Sequence, residues 1–215
     1  MDSADQPRVL SVNVARMRLI VINGETVKTG IYKYPVDDRV AVRDEQVGAD
    51  RQADYTVHGG YDKAVYAYST EDYDWWSTEL GGREIEPGLF GENLTTAGID
   101  LSAAEVGTRW RVGTTVLEVS EPRIPCSKLA FKMQDPRFVK RFAQANRPGA
   151  YLRIIEQGEL GAGDPIEIVS APSNGVTMAL FSRAMLGDRS VVPKVLEAEA
   201  IAPRWREWAE HRLAR

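Results

Sequence analysis

Short runs in which apolar residues alternate with polar or small ones dominate the first 170 residues. Val9-Leu10-Ser11-Val12-Asn13-Val14 is one, as expected of a strand with one buried face. Leu19-Ile20-Val21-Ile22 runs into Asn23-Gly24, a two-residue hairpin signal, because both positions tolerate positive φ. Further strands are predicted over Ile31–Val36, Lys63–Tyr68, Thr115–Ser120, Ala150–Ile155 and Pro165–Val169. Short strands with regular turn signals predict a mainly β architecture, a barrel or sandwich rather than alternating β/α units. A helix interrupts them after Ser69-Thr70: either residue can cap it, Tyr73, Trp76 and Leu80 share a face, and Gly81-Gly82 end it. Trp75 and Trp76 are read there as packing residues. A second helix is predicted with Asp135 as N-cap, Pro136 as first helical residue and Phe138, Val139 and Phe142 as its buried stripe.

The strand pattern stops near Ala171-Pro172-Ser173-Asn174-Gly175, which reads as a linker. Three short helical segments follow, at about 176–186, 190–199 and 203–214, separated at Gly187-Asp188 and Ala202-Pro203. Residues 1–172 are therefore expected to form one domain and 173–215 a helical extension. Trp205, Trp208 and Leu213 are its candidate anchors. The tail has too little excess positive charge to argue for DNA binding.

The chain has 215 residues, 43% hydrophobic and 27% charged, as in soluble globular proteins. No apolar run approaches the roughly 20 residues that cross a bilayer. The N-terminus is acidic and polar, unlike a secretory or transit segment, and a cytoplasmic location is expected. Cys126 is the one cysteine, so no intrachain disulfide, all-cysteine zinc site or ordinary iron–sulfur cluster can be built from these residues. A lone cysteine is often a small core residue. Here Arg123 and Lys128 flank it, and both can favour the thiolate, which attacks electrophiles and binds soft metals. The charge distribution sharpens this. Net charge is −4, yet residues 123–147 hold seven cations, Arg123, Lys128, Lys132, Arg137, Lys140, Arg141 and Arg147, against Asp135 alone. Part of that run is a solvated helix face, with Lys140 and Arg141 turned to water. The cations next to the thiol point to an anionic ligand rather than to nucleic acid.

Two further clusters carry candidate chemistry. In His58-Gly59-Gly60-Tyr61-Asp62-Lys63 the glycines permit close backbone approach to a ligand, and Lys63 opens a strand from which its head can reach an anion. His58 is open to a structural hydrogen bond, a metal or a substrate contact. In Pro87-Gly88-Leu89-Phe90-Gly91-Glu92-Asn93 a glycine turn delivers a carboxylate and an amide that can bond a heterocycle edge. Neither cluster is a phosphate or dinucleotide fingerprint. No serine or cysteine triad can be assembled, since His58 is the one plausible base.

In order, His58-Gly59-Gly60-x-Asp62-Lys63-Ala64-Val65, Gly91-Glu92-Asn93-Leu94 and Pro122-Arg123-x-Pro125-Cys126-x-Lys128-Leu129 resemble the MOSC domain family. Gly30-Ile31-Tyr32-Lys33-x-Pro35-Val36, Arg51-Gln52-Ala53-Asp54 and Gly149-Ala150-Tyr151-Leu152-Arg153 are similar to its stand-alone bacterial, YiiM-like branch, as is the helical tail. The resemblance implies a MOSC-type β-barrel core with inserted helices over 1–172 and a C-terminal three-helix extension over 173–215. It implies binding of the molybdenum cofactor, with Cys126 as protein ligand to the metal and the catalytic residue. It further implies reduction of N-hydroxylated small molecules such as 6-hydroxylaminopurine to amines, a detoxification. Lys33, Lys63, Arg123 and Lys128 are then candidates for the phosphate and pterin periphery, and His58, Asp62, Glu92 and Asn93 for pterin edges or substrate orientation. A separate flavin or iron–sulfur reductase is the expected electron donor; neither nucleic acid nor membrane is expected as a partner. The oligomeric state stays open, a homodimer included. Two alternatives also stay open: Cys126 as a persulfide sulfur carrier, disfavoured because no pyridoxal-dependent desulfurase pattern lies in these residues, and a non-catalytic cofactor carrier.

Overall fold

Strand β1 (Arg8–Ala15) occupies one side of the main sheet, and the hairpin of β2 (Arg18–Ile22) and β3 (Glu25–Thr29) leaves it as a separate ribbon. Asn23 and Gly24 form its turn with φ of 53° and 85°, as their types predict. The computed structural model describes residues 6–53 and 59–214. After the hairpin come β4 (Lys33–Val36), β5 (Val40–Arg43) and β6 (Gln46–Val47), then a 3₁₀ turn at Tyr61–Lys63 and β7 (Val65–Ser69). Helix α1 (Thr70–Glu79) leads to β8 (Leu94–Ala97), followed by β9 (Arg109–Val112) and β10 (Thr115–Glu121). Helices α2 (Ser127–Met133) and α3 (Phe138–Ala145) precede β11 (Ala150–Glu156), β12 (Gly158–Leu160) and β13 (Ile166–Ser170). The tail holds α4 (Met178–Met185), a 3₁₀ turn at Arg189–Val191, α5 (Val192–Val195) and α6 (Pro203–Leu213).

Eight strands pair in the order β13-β9-β10-β11-β7-β8-β1-β4. The fold is a strand-rich mixed α/β structure rather than mainly β. The β7–α1–β8 unit pairs its strands in parallel, and such a connection has to leave the sheet through a crossover, here made by the helix. The expected closed barrel is not formed among the described residues. The edge of β1 that would complete a ring pairs with β4 from Val12 to Ala15. Only its start reaches the approach to β13, where Val9 N donates to Asp164 O at 2.9 Å and Ile166 N to Pro7 O at 2.7 Å.

Two apolar clusters fill the molecule. One lies under the sheet and takes in Val9, Leu94, Trp110, Leu117 and Leu152 together with Phe181, Val195, Ile201 and Ala209 of the tail. Trp205 and Trp208 pack against it, with Trp205 edge-on to Phe181 at 5.9 Å. Leu213 is no anchor, being 47% exposed. The other cluster is aromatic. Tyr66 and Tyr68 of β7, Tyr73 and Trp76 of α1, Phe90, and Phe138 and Phe142 of α3 pack together there. Trp76 stacks on Phe142 at 10°. Ser69 caps α1 by accepting from Asp72 N at 3.2 Å. Helix α3 starts at Phe138, later than expected, because Asp135 Oδ1 first closes a turn on Arg137 N at 2.9 Å.

Candidate functional site

Cys126 is the N-cap residue of α2, half-buried, with no capping bond from its side chain. Beside it a small cleft of about 80 Å³, open to solvent, is walled by Lys33, Lys63, Arg123, Lys128, Tyr66 and Tyr151. The sulfur and the four cations expected to hold an anion thus line one hollow, although Lys33 and Lys128 stand far apart in sequence.

Each cation is placed differently. Arg123, on the stretch between β10 and α2, is buried and donates from Nη1 to Phe90 O at 2.6 Å, with its guanidinium 5.1 Å from the centre of the Tyr66 ring. Its Nε is buried without a hydrogen-bond partner among the described residues. Gly91, at φ 81°, sits tightly beside it: a Cβ there would stand 2.9 Å from Ile31 Cγ1 and 3.4 Å from Arg123 Nη1. Lys33 pairs with Asp50, and burial lowers its pKa against the pull of that carboxylate. Lys63 lies 3.3 Å from Glu121 Oε1 and 5.8 Å from the centre of the Tyr151 ring. It belongs to the 3₁₀ turn and does not open the strand. Lys128 has no hydrogen-bond or ion-pair partner among the described residues. The Tyr151 hydroxyl likewise has none there, and burial raises its pKa, so it meets the cleft as a neutral O–H.

Three expected residues sit elsewhere or are already committed. Asp62 does not line the cleft; its Oδ1 accepts from Arg153 Nε at 2.7 Å. Glu92 is fully buried behind the wall, where Oε1 accepts from Tyr73 Oη, from Gly88 N at 2.5 Å and from Thr95 Oγ1 at 3.1 Å. Burial raises its pKa, opposed by the Tyr73 hydrogen bond. Asn93 borders the cleft, but its amide is spent on the framework: Nδ2 donates to Asn13 O at 3.2 Å and Asp50 Oδ2 at 2.8 Å, and Oδ1 accepts from Tyr66 N at 3.1 Å. His58 lies outside the described residues. Gly59 and Gly60 approach protein, not an open ligand space: Gly60 N donates to Gln52 Oε1 at 2.9 Å, and a Cβ on Gly59 would overlap the Gln52 side chain.

Asp50, Gln52 and Tyr151 shape the cleft and were not among the candidate site residues, although Gln52 and Tyr151 lie in the family-like segments. Lys132, a member of the basic run, backs the wall by donating to Ile31 O at 2.9 Å and Gly88 O at 2.6 Å, and burial pulls its pKa down to about 8. The rest of that run serves structure: Arg141 bonds Asp135 and Glu79 O, Arg147 bonds Asp72, and Arg137 and Lys140 are exposed.

The residues present suit an anionic, metal-bearing group: a soft sulfur on the cleft wall and, among the described residues, a guanidinium N–H lacking an acceptor and the Lys128 ammonium without a counter-ion. Comparison with known proteins places the chain in a family. The MOSC domain pattern matches residues 54–167. The protein YflK of Bacillus subtilis (strain 168) is 33% identical over 92% of this chain and 90% of its own length. A protein of Gibberella moniliformis named "Reductase" is 33% identical over 80% of this chain, which corresponds to 31% of that longer protein. The crystal structure of YiiM from Geobacillus stearothermophilus superposes with a TM-score of 0.79 at 31% identity, over 96% of this chain and 99% of that one. Among the described residues no helix is long and apolar enough to cross a membrane.

Proposed function

Because this chain belongs to the MOSC domain family, we propose that it is a molybdenum-cofactor-dependent reductase of N-hydroxylated compounds, 6-hydroxylaminopurine-type base analogues among them. The observation that carries the reading is the meeting of Cys126 with Lys33, Lys63, Arg123 and Lys128 around one cleft. The name of the fungal relative supports reductive chemistry in particular. When bound, the cofactor supplies the two-electron, oxygen-accepting chemistry by which R–NHOH, two electrons and two protons become R–NH₂ and water.

The chain's own residues bind, shield and supply protons. Cys126 offers the soft ligand for the metal. Lys128 and Arg123 hold the phosphate and pterin edge, and Lys33 and Lys63 extend the positive wall with carboxylates behind them. The Tyr151 hydroxyl, on a residue lining the cleft, would be the O–H donor to the departing oxygen. Electrons come from a separate flavin or iron–sulfur reductase, since a single cysteine ligates no cluster and no flavin or nicotinamide fingerprint is present.

The test is molybdenum content and 6-hydroxylaminopurine turnover, with a chemical reductant, of protein made in a molybdenum-competent host. Wild-type protein is expected to carry the metal and turn over. Cys126→Ala is expected to fold, to lose turnover and to hold molybdenum loosely at most. Full turnover in the variant, or wild-type protein that never takes up molybdenum, would sink the proposal.

A further inference from the structure

Lys63 stands on the cleft wall but is held from beyond it. Its ammonium meets Glu121 Oε1 at 3.3 Å. The other oxygen of that carboxylate accepts from Trp205 Nε1 at 2.7 Å and from Arg204 Nη2, both on α6. Glu121 is 1% exposed, so these groups take the place of water around its charge. The neighbouring Asp62 is gripped in a parallel way. Arg153 donates from Nε to Asp62 at 2.7 Å, and from Nη1 to Glu118 Oε1 and Ala200 O, each at 2.8 Å. Residues 200–205 therefore hold the Tyr61–Lys63 turn at two adjacent side chains, each through one buried intermediary.

We propose that the C-terminal segment 200–205 positions Lys63 for anion binding in the cleft, with Glu121 as the positioning residue; the anion's identity rests on the cofactor reading above. The physical effect is positional. A lysine left to itself samples many rotamers, and a carboxylate fixed to α6 confines this one before the ligand arrives. The helical tail is thereby part of the binding machinery and more than a cover for the core.

Charge and position predict opposite results for Glu121→Gln, and that makes the proposal testable. Removing a negative charge beside the cleft strengthens anion binding if charge alone matters; loosening Lys63 weakens it if position matters. Full-length wild type, Glu121→Gln, Trp205→Phe and Lys63→Ala are compared by calorimetric titration with inorganic pyrophosphate. Acetylation of Lys63 by acetic anhydride is measured by peptide mass spectrometry in ligand-free protein, with Lys128 of the same cleft as internal reference. The expected result for Glu121→Gln is weaker pyrophosphate binding and a Lys63:Lys128 acetylation ratio raised about tenfold, the worth of one charge-assisted hydrogen bond. Trp205→Phe keeps an aromatic ring, though a smaller one, and loses the N–H; it should move both readouts the same way by less, and decides the matter if Glu121→Gln does not fold. Tighter binding in Glu121→Gln, or wild-type acetylation ratios in both variants, would overturn the tether itself. Unchanged binding in Lys63→Ala would instead overturn it through the anion-binding role assigned to Lys63.

Discussion

Asp50 serves three partners with two oxygens. Oδ1 accepts from Ala15 N at 2.6 Å, and Oδ2 takes both Asn93 Nδ2 at 2.8 Å and the Lys33 ammonium. Its side chain is 3% exposed, so truncation leaves a buried ammonium and a backbone N–H without the acceptor they use and the Asn93 amide with Asn13 O alone. Asp50→Ala is expected to lower unfolding stability by about 3–5 kcal/mol in urea titration, and a loss under about 1 kcal/mol would contradict this account. Lys132 supplies a test in pH. Burial holds its pKa at about 8 against an ordinary 10.5, so between those values the unfolded chain binds more protons than the folded one. Its contribution to stability therefore rises with pH from 8 to 10.5 and is flat below. The stability of wild type minus that of Lys132→Met should climb by on the order of 2 kcal/mol across that window; a level difference would remove the assignment. These two residues show what was legible in the site. Cys126, Arg123 and Lys128 announce themselves because a lone thiol among cations is visible in composition. Asp50 and Tyr151 matter through partners on remote segments, and one residue's type does not report them.

Secondary structure was readable where local chemistry settles it. Ser69 is a preferred cap ahead of an aromatic face, and Asn23-Gly24 takes up the positive φ its types allow. Ser69→Ala should cost about 1 kcal/mol of stability and fray the start of α1, measured by thermal unfolding and by amide exchange at Asp72. Helix α2 went unforeseen for the same reason in reverse. Its N-cap is a cysteine that makes no capping bond, it runs only from Ser127 to Met133, and it ends at Gln134 in the left-handed region. The parallel pairing of β7 with β8 was equally hidden. Periodicity identifies a strand, whereas direction depends on where the intervening helix sends the chain.

The domain expected over 1–172 and the helical extension over 173–215 share one apolar interior, since Phe181, Val195 and Ile201 pack with Val9, Leu117 and Leu152. Heat and denaturant should therefore unfold the protein in one step, with tryptophan fluorescence and far-ultraviolet circular dichroism changing together. Phe181→Ala, at a fully buried position, should lower stability by about 3–5 kcal/mol while keeping the two probes coincident. Separate transitions would show that the tail melts by itself. Short strands with regular turns suit a barrel or a sandwich, and the family resemblance implied the barrel. What opens it is competition for one edge of β1, which alternation within a single strand cannot reveal.

That contested edge also sets a timetable for synthesis. Translation brings out β1 first, and β4 follows soon enough to take Val12 to Ala15. The opposite edge of β1 must wait for β8, and its opening residues wait for the stretch around Pro165. The aromatic cluster needs Phe142, and the clamp on Lys63 needs Trp205. A nascent chain thus carries a half-finished apolar strand until the stretch around Pro165 has emerged. Chaperone demand should fall on its first residues, while the cation-lined wall of the cleft is completed later, once α6 has emerged.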